Sequence, residues 1–217
     1  MVERLGTRRA RGLPAPLART SFGVLRPADA GEVYAHPRQE FRRLMRGGVL
    51  HRVATGYYAI VPPAAHDREW LPSLEASAYG IAAADYGPDA VVLMGLSAAR
   101  VHGAVPRGLG VAVVAVPKQR SALLLADRHA RVAFVVRATD RLQAERVSTD
   151  LGSALVTTIE QTLLDLAHRP DLGGVPEEAR AAVAALWPRA DAEELDRIAA
   201  DQRLRAALGR ARSWEGK

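Results

Sequence analysis

The sequence predicts an α+β fold in two parts, a winged helix-turn-helix domain over residues 1–64 and a mixed α/β domain over residues 65–217 that ends in a helical tail. Three observations predict it. Residues 37–61, PRQEFRRLMRGGVLHRVATGYYAIV, read as an arginine-rich amphipathic helix running into a hairpin. The excess positive charge is local: residues 1–61 hold eleven arginines against four acids, a net of +7, while the whole chain is +6, which leaves −1 for residues 62–217. Behind Pro62-Pro63-Ala64-Ala65, a stiff linker-like stretch, apolar runs of strand length alternate with alanine-rich helical stretches.

Taken in order, residues 1–12 form a basic arm, suited either to a DNA minor groove or to solvent. Leu13 to Arg19 is a short helix, with Leu13 and Leu17 one turn apart. Val24-Leu25 is a short strand beside the hairpin. Pro27 opens a helix to Ala35, with Asp29 and Glu32 in the half where the helix dipole favours acids. His36 precedes Pro37 and is pushed out of helical geometry, so it marks a turn. From Pro37 the next helix presents Phe41, Leu44 and Met45 to a core and Arg38, Gln39, Arg42, Arg43 and Arg46 mostly away from it. Gly47-Gly48 stops it, because glycine reaches left-handed dihedrals without strain. Val49 to Ala54 and Tyr57 to Val61 then pair about Thr55-Gly56. The expected core of this part is Leu17, Phe22, Leu25, Val33, Phe41, Leu44, Leu50 and Tyr58.

In the rear part Leu74 to Asp85 is a helix, Ala90 to Met94 a buried strand, and Leu96 to His102 a short helix stopped by Gly103. Val111 to Val116 and Arg131 to Val136 are apolar enough for strands buried on both faces, with Leu155 to Thr157 as a further edge. Helices follow over Thr158 to Ala167, Pro176 to Leu186 and Ala192 to Leu208. Asp165, inside an apolar run, is expected to pair with Arg169 or His102. Lys118, Arg120 and Arg128 form a basic loop region, either a second nucleic-acid contact or simply a loop.

In a helix-turn-helix the second helix enters the major groove with its N-terminal residues on base edges. That assigns base reading to Arg38, Gln39 and Arg42, since arginine forks onto guanine and glutamine onto adenine. Arg43, Arg46, Arg52 and Thr55 are placed for phosphates, which set register and affinity. A merely solvated face is the alternative. The flanking hairpin and the confinement of charge to the front favour double-stranded DNA.

Other chemistry is poorly supported. There are no cysteines, so disulfides and thiolate metal sites are excluded, which fits a reducing cytoplasm. No two of the six histidines stand three or four residues apart, as a zinc-binding helix needs. Gly95 to Ser97 after a strand resembles the glycine-serine start of nucleotidyltransferases, but the next acid after Ser97 is Asp127, so no metal-holding carboxylate pair follows. Ser97 is expected to cap a helix instead. No catalytic residue, metal or cofactor is expected. The alternative is a nuclease or nucleotidyltransferase targeted by the front domain. No signal peptide or membrane span is legible.

The hairpin GVLHRVATGYYAIVP (48–62), GLSAARVHGA (95–104) and TTIEQTLLDLA (157–167), in this order and spacing, resemble the AbiEi family, the antitoxins of type IV toxin–antitoxin systems. The resemblance runs from about residue 12 to about residue 170. Arg26-Pro27 stands where that family commonly enters its second helix with Ser or Thr. The resemblance implies an autorepressor that binds promoter inverted repeats, as a monomer in solution or a dimer on DNA. It also implies a rear domain that counters a nucleotidyltransferase-like toxin without a stable complex. Arg38, Gln39, Arg42, Arg43 and the wing around Thr55 take the family's DNA-contact positions.

Overall fold

The computed structural model of the chain describes residues 12–66 and 69–215. The basic arm expected over the first residues lies outside the described residues, Gly12 apart.

Helix α1 (Ala15–Ala18) is one turn, shorter than the sequence suggests, because Pro14 and Pro16 crowd its start and nothing caps it. Strand β1 (Val24–Leu25) follows. The helix expected from Pro27 to Ala35 is a 3₁₀ turn over Pro27–Ala30 only. Arg26 offers no capping side chain, and Gly31 costs helix stability where the second turn would begin. Helix α2 (Pro37–Arg46) forms as expected, with Phe41 and Leu44 buried and Met45 half-buried. It closes in a Schellman motif: Val49 N–H donates to Leu44 O and Gly48 N–H to Met45 O, with Gly48 at φ +70°. Strands β2 (Leu50–Ala54) and β3 (Tyr57–Ile60) form the hairpin, with Gly56 at φ +87° in its turn. The three strands make an antiparallel sheet in the order β1-β3-β2. Leu17, Leu25, Phe41, Leu44 and Leu50 pack with Val33 and Tyr58, whose ring meets Phe41 edge-on at 5.1 Å. Phe22 leaves this expected set and packs on the rear core instead.

The rear part opens with α3 (Leu74–Tyr86), capped by the Ser73 hydroxyl on Ala76 N–H. It continues through β4 (Val92–Leu93), α4 (Gly95–Val101), β5 (Val111–Val116), β6 (Leu123–Leu124) and β7 (Arg131–Val136). Then come β8 (Ala144–Thr149), β9 (Gly152–Thr157) and α5 (Ile159–His168), with α6 (Pro176–Leu186), α7 (Ala192–Asp201) and α8 (Arg205–Trp214) as the tail. The strands form one mixed sheet, β6-β7-β5-β4-β9-β8. Strand β5 is buried on both faces: Ala112, Val114 and Val116 face one core, Val113 and Ala115 the other. The segment expected as a short edge at Leu155 to Thr157 is the second half of β9, and β8 is the true edge. The tail helix expected from Ala192 to Leu208 breaks at Gln202 to Leu204, where Arg203 takes φ +59°.

The change in charge near residue 65 is not a gap in packing. Val24, Val53, Ala54 and Ala59 of the front sheet are buried in one core with α3 and strands β5 and β9. Ala126 N–H donates to Val53 O at 2.8 Å and Ser153 N–H to Ser21 O at 3.2 Å, so backbone bonds cross the junction as well. Gly80 of α3 lets β1 approach: a Cβ there would strike the Val24 side chain and stand 2.9 Å from Phe22 O.

Candidate nucleic-acid interface

Phe41 and Leu44 turn inward on α2, and that rotation sends the polar residues out. Arg38, Gln39, Arg42, Arg43 and Arg46 are all exposed, as are Arg52 and Thr55 on the hairpin. They do not form one equivalent set. Arg38, Gln39, Arg42 and Thr55 line a groove of about 710 Å³ between the start of α2, the Pro27–Ala30 turn and the hairpin turn. Arg43, Arg46 and Arg52 stand outside it. Arg43 is held by Glu40 at 2.8 Å. Arg52 reaches the Thr55 hydroxyl at 3.1 Å, and the Arg46 and Arg42 Nε atoms lean on the carbonyls of Arg42 and Arg38 at 3.4 and 3.3 Å. The guanidinium groups of Arg38, Arg42, Arg46 and Arg52 have no carboxylate within 4.0 Å among the described residues.

A second set of residues fixes the groove's geometry, and sequence reasoning missed it. Asp85, near the end of α3, accepts from Arg26 at 2.7 Å and from the Tyr57 hydroxyl at 2.9 Å, and it also pairs with Arg120. Arg120 donates to the Tyr57 hydroxyl at 2.9 Å and stacks over the Tyr57 and Phe134 rings at 5.4 and 4.6 Å. Arg26 also grips Asp29 at 2.6 Å, and that bond, opposed by burial, holds its pKa above the ordinary value. Arg26 and Tyr57 line the groove, so Asp85 ties the turn and the hairpin to the rear body. No local pattern marks the contacts among Arg26, Tyr57, Asp85 and Arg120, because those partners stand 28 to 63 positions apart in the chain.

The rest of the expected site chemistry resolves structurally. Arg120 and Arg128 are engaged by Asp85 and Asp127 rather than presented to a ligand, leaving Lys118 exposed in that loop. Ser97 is not a cap: its buried hydroxyl accepts from Val113 N–H at 2.8 Å and ties α4 to β5. His102 Nε2 contacts Thr157 O at 2.7 Å. The Asp165 side chain pairs with neither His102 nor Arg169 but with Arg137, the residue after β7, at 3.2 Å. Among the described residues no group of three or more histidines or acids is placed to hold a metal ion, and no helix is long and apolar enough to cross a membrane.

Fold and site together define a class: an α+β protein with a basic helix and hairpin set in front of a charge-balanced body. Residues 90–214 match the AbiEi antitoxin C-terminal domain, more than half of the chain, and the chain belongs to that antitoxin family. An antitoxin role in a toxin–antitoxin pair is therefore its general function. No curated protein matches the chain. Among solved structures it is similar to the RV2827C protein from Mycobacterium tuberculosis, 20% identical over 90% of this chain and 74% of that one, with a TM-score of 0.57. At that identity the likeness is one of fold.

Proposed function

We propose that the chain is a DNA-binding repressor of its own operon, with the helix and hairpin of residues 1–64 on promoter inverted repeats. In this reading residues 65–217 counter a nucleotidyltransferase-like toxin. The observation that carries the DNA half is the groove in which Arg38, Gln39, Arg42 and Thr55 converge. Arg38, Gln39 and Arg42 lie towards the start of α2, the part that meets base edges in helix-turn-helix proteins, and Thr55 faces them from the hairpin turn. Arg43, Arg46 and Arg52, outside the groove, suit phosphates on either side. The toxin half is supported by membership of the antitoxin family.

Gel-shift titration of the chain's own promoter against random duplex of equal length tests the DNA half. Specific binding is expected, weakening steeply with salt as counterions return to the duplex. Arg38→Ala or Arg42→Ala is expected to cost about 1–3 kcal/mol on the promoter through a lost bidentate contact, with little change on random DNA. Equal affinity of the parent protein for both duplexes would remove the assignment. Co-expression with the neighbouring gene's product, scored by growth rescue, tests the toxin half.

A further inference from the structure

Among the described residues of the rear half, nine of the sixteen arginines pair with a carboxylate. Arg100 pairs with Glu75, Arg107 with Glu178, Arg137 with Asp165 and Arg212 with Asp196. Arg131, Arg169 and Arg210, like Arg141, Arg189, Arg203 and Arg205, have no carboxylate within 4.0 Å among the described residues. The first three come from separate places, the start of β7, the residue after α5 and the middle of α8, yet they rim one groove of about 620 Å³. His168 stands among them. Asp171 is the acid of the lining, and it pairs with none of the three arginines. The floor is apolar, made by Val111, Ala133 and Leu172. Gly173 lies at φ +107°, where a Cβ would stand 2.9 Å from Leu96 Cδ1, so the turn that walls the groove sits hard against α4.

Gathering like charges over an apolar floor raises the free energy of the empty protein. His168 feels two of the three: its pKa is lowered by burial first, then by Arg137 outside the groove, and then by Arg169 and Arg210. Guanidinium forks match phosphate oxygens two at a time, and an apolar floor beside them suits the flat body that carries the phosphate. The volume lies in the range of small-ligand sites, roughly 300–1,000 Å³.

We propose that this groove binds the phosphate of a nucleotide, with Arg131, Arg169 and Arg210 on the phosphate and Val111, Ala133 and Leu172 beneath the base. A free nucleotide and the terminal nucleotide of an RNA strand present the same chemistry. The site is separate from the front helix, so promoter binding serves as an internal control.

Calorimetric titration of the full chain with ADP, with inorganic phosphate and with a short single-stranded RNA tests the proposal. The titrations are repeated on Arg131→Ala and Arg169→Ala. Both residues are exposed and carry no ion pair, so melting temperatures and promoter binding are expected to stay unchanged. Arg210 is left intact because its side chain also donates to Ala167 O, at the end of α5. ADP is expected to bind more tightly than inorganic phosphate, and each variant to lose about tenfold. The His168 imidazole, followed by NMR, is expected to titrate at higher pH in the complex, since a bound anion offsets the arginine field. Binding of the RNA alone, lost in both variants, supports the site and places the phosphate on a strand end. Absence of binding by all three probes at about 1 mM overturns the proposal, as does binding that both variants retain. Inorganic phosphate matching ADP overturns the role given to the floor.

Discussion

Asp165 sits in the apolar wall of α5 with Oδ1 bonded to Arg137 and Gln161, both at 3.2 Å, and with Oδ2 bonded to nothing among the described residues. Burial pushes its pKa up from 3.8 to about 6, against the pull of Arg137 and Gln161. Between those values the native chain holds more protons than the unfolded one, so stability falls as pH rises from about 4 to about 6 and is level above. The whole descent is worth about 3 kcal/mol, since each tenfold change in proton affinity corresponds to about 1.4 kcal/mol. Asp165→Asn is expected to abolish that slope while keeping an acceptor for Arg137. Urea unfolding at successive pH values reads it, and a slope surviving in the variant would assign the titration to another group. The same residue shows the limit of local reading. Its position within an apolar run is plain in TLLDLA, but its partner is Arg137, 28 residues away and just after β7.

Elements whose ends carry their own chemistry were the ones sequence reading placed best. Helix α2 begins at Pro37 and stops at Gly47-Gly48 because both ends are written in residues with restricted or permissive dihedrals. The break between α7 and α8 has no such signal. It is made by Arg203 at φ +59°, a conformation that costs a non-glycine residue about 1–2 kcal/mol, where Leu204 N–H turns back to donate to Ala199 O at 2.8 Å. Edge strand β8, AERVST, escaped notice because its exposed positions are polar and only its pairing with β9 makes it a strand. Gly80 shows how packing reverses a propensity. An alanine within a helix ordinarily gains up to about 1 kcal/mol over glycine. Gly80→Ala is instead expected to cost about 1–3 kcal/mol, because β1 occupies the space its methyl needs. Denaturant titration decides the sign, and a stabilised variant would mean that β1 does not lie against α3.

At the scale of the whole molecule, the front module and the rear body differ in charge but share a core. Cutting the chain at residue 65 would expose Val24, Val53, Ala54 and Ala59 on one side and the matching face of α3 on the other. Each valine loses about 1.5–3 kcal/mol of burial, and a fragment of this size has little stability to spare. Residues 1–65 alone are therefore expected to show no cooperative thermal transition by circular dichroism, while the full chain melts in one step. A sharp independent transition in the fragment would show that the shared core is dispensable. It follows that separating the proposed DNA and toxin activities calls for point substitutions such as Arg38→Ala rather than truncation.

The sequence by itself determined what is local: the amphipathic helix and its glycine stop, the hairpin turn, the confinement of excess positive charge to the front, and the apolar strands of the rear sheet. It determined these because periodicity, turn chemistry and charge act over a few residues, within reach of the chain's own neighbours. Only the tertiary structure decided that Asp85 clamps Arg26, Tyr57 and Arg120, that Arg137 reaches Asp165, and that Arg131, Arg169 and Arg210 meet in one groove. These are pairings between distant segments, fixed by how the front sheet, α3 and the tail helices bury their apolar faces together, and no spacing along the chain encodes them.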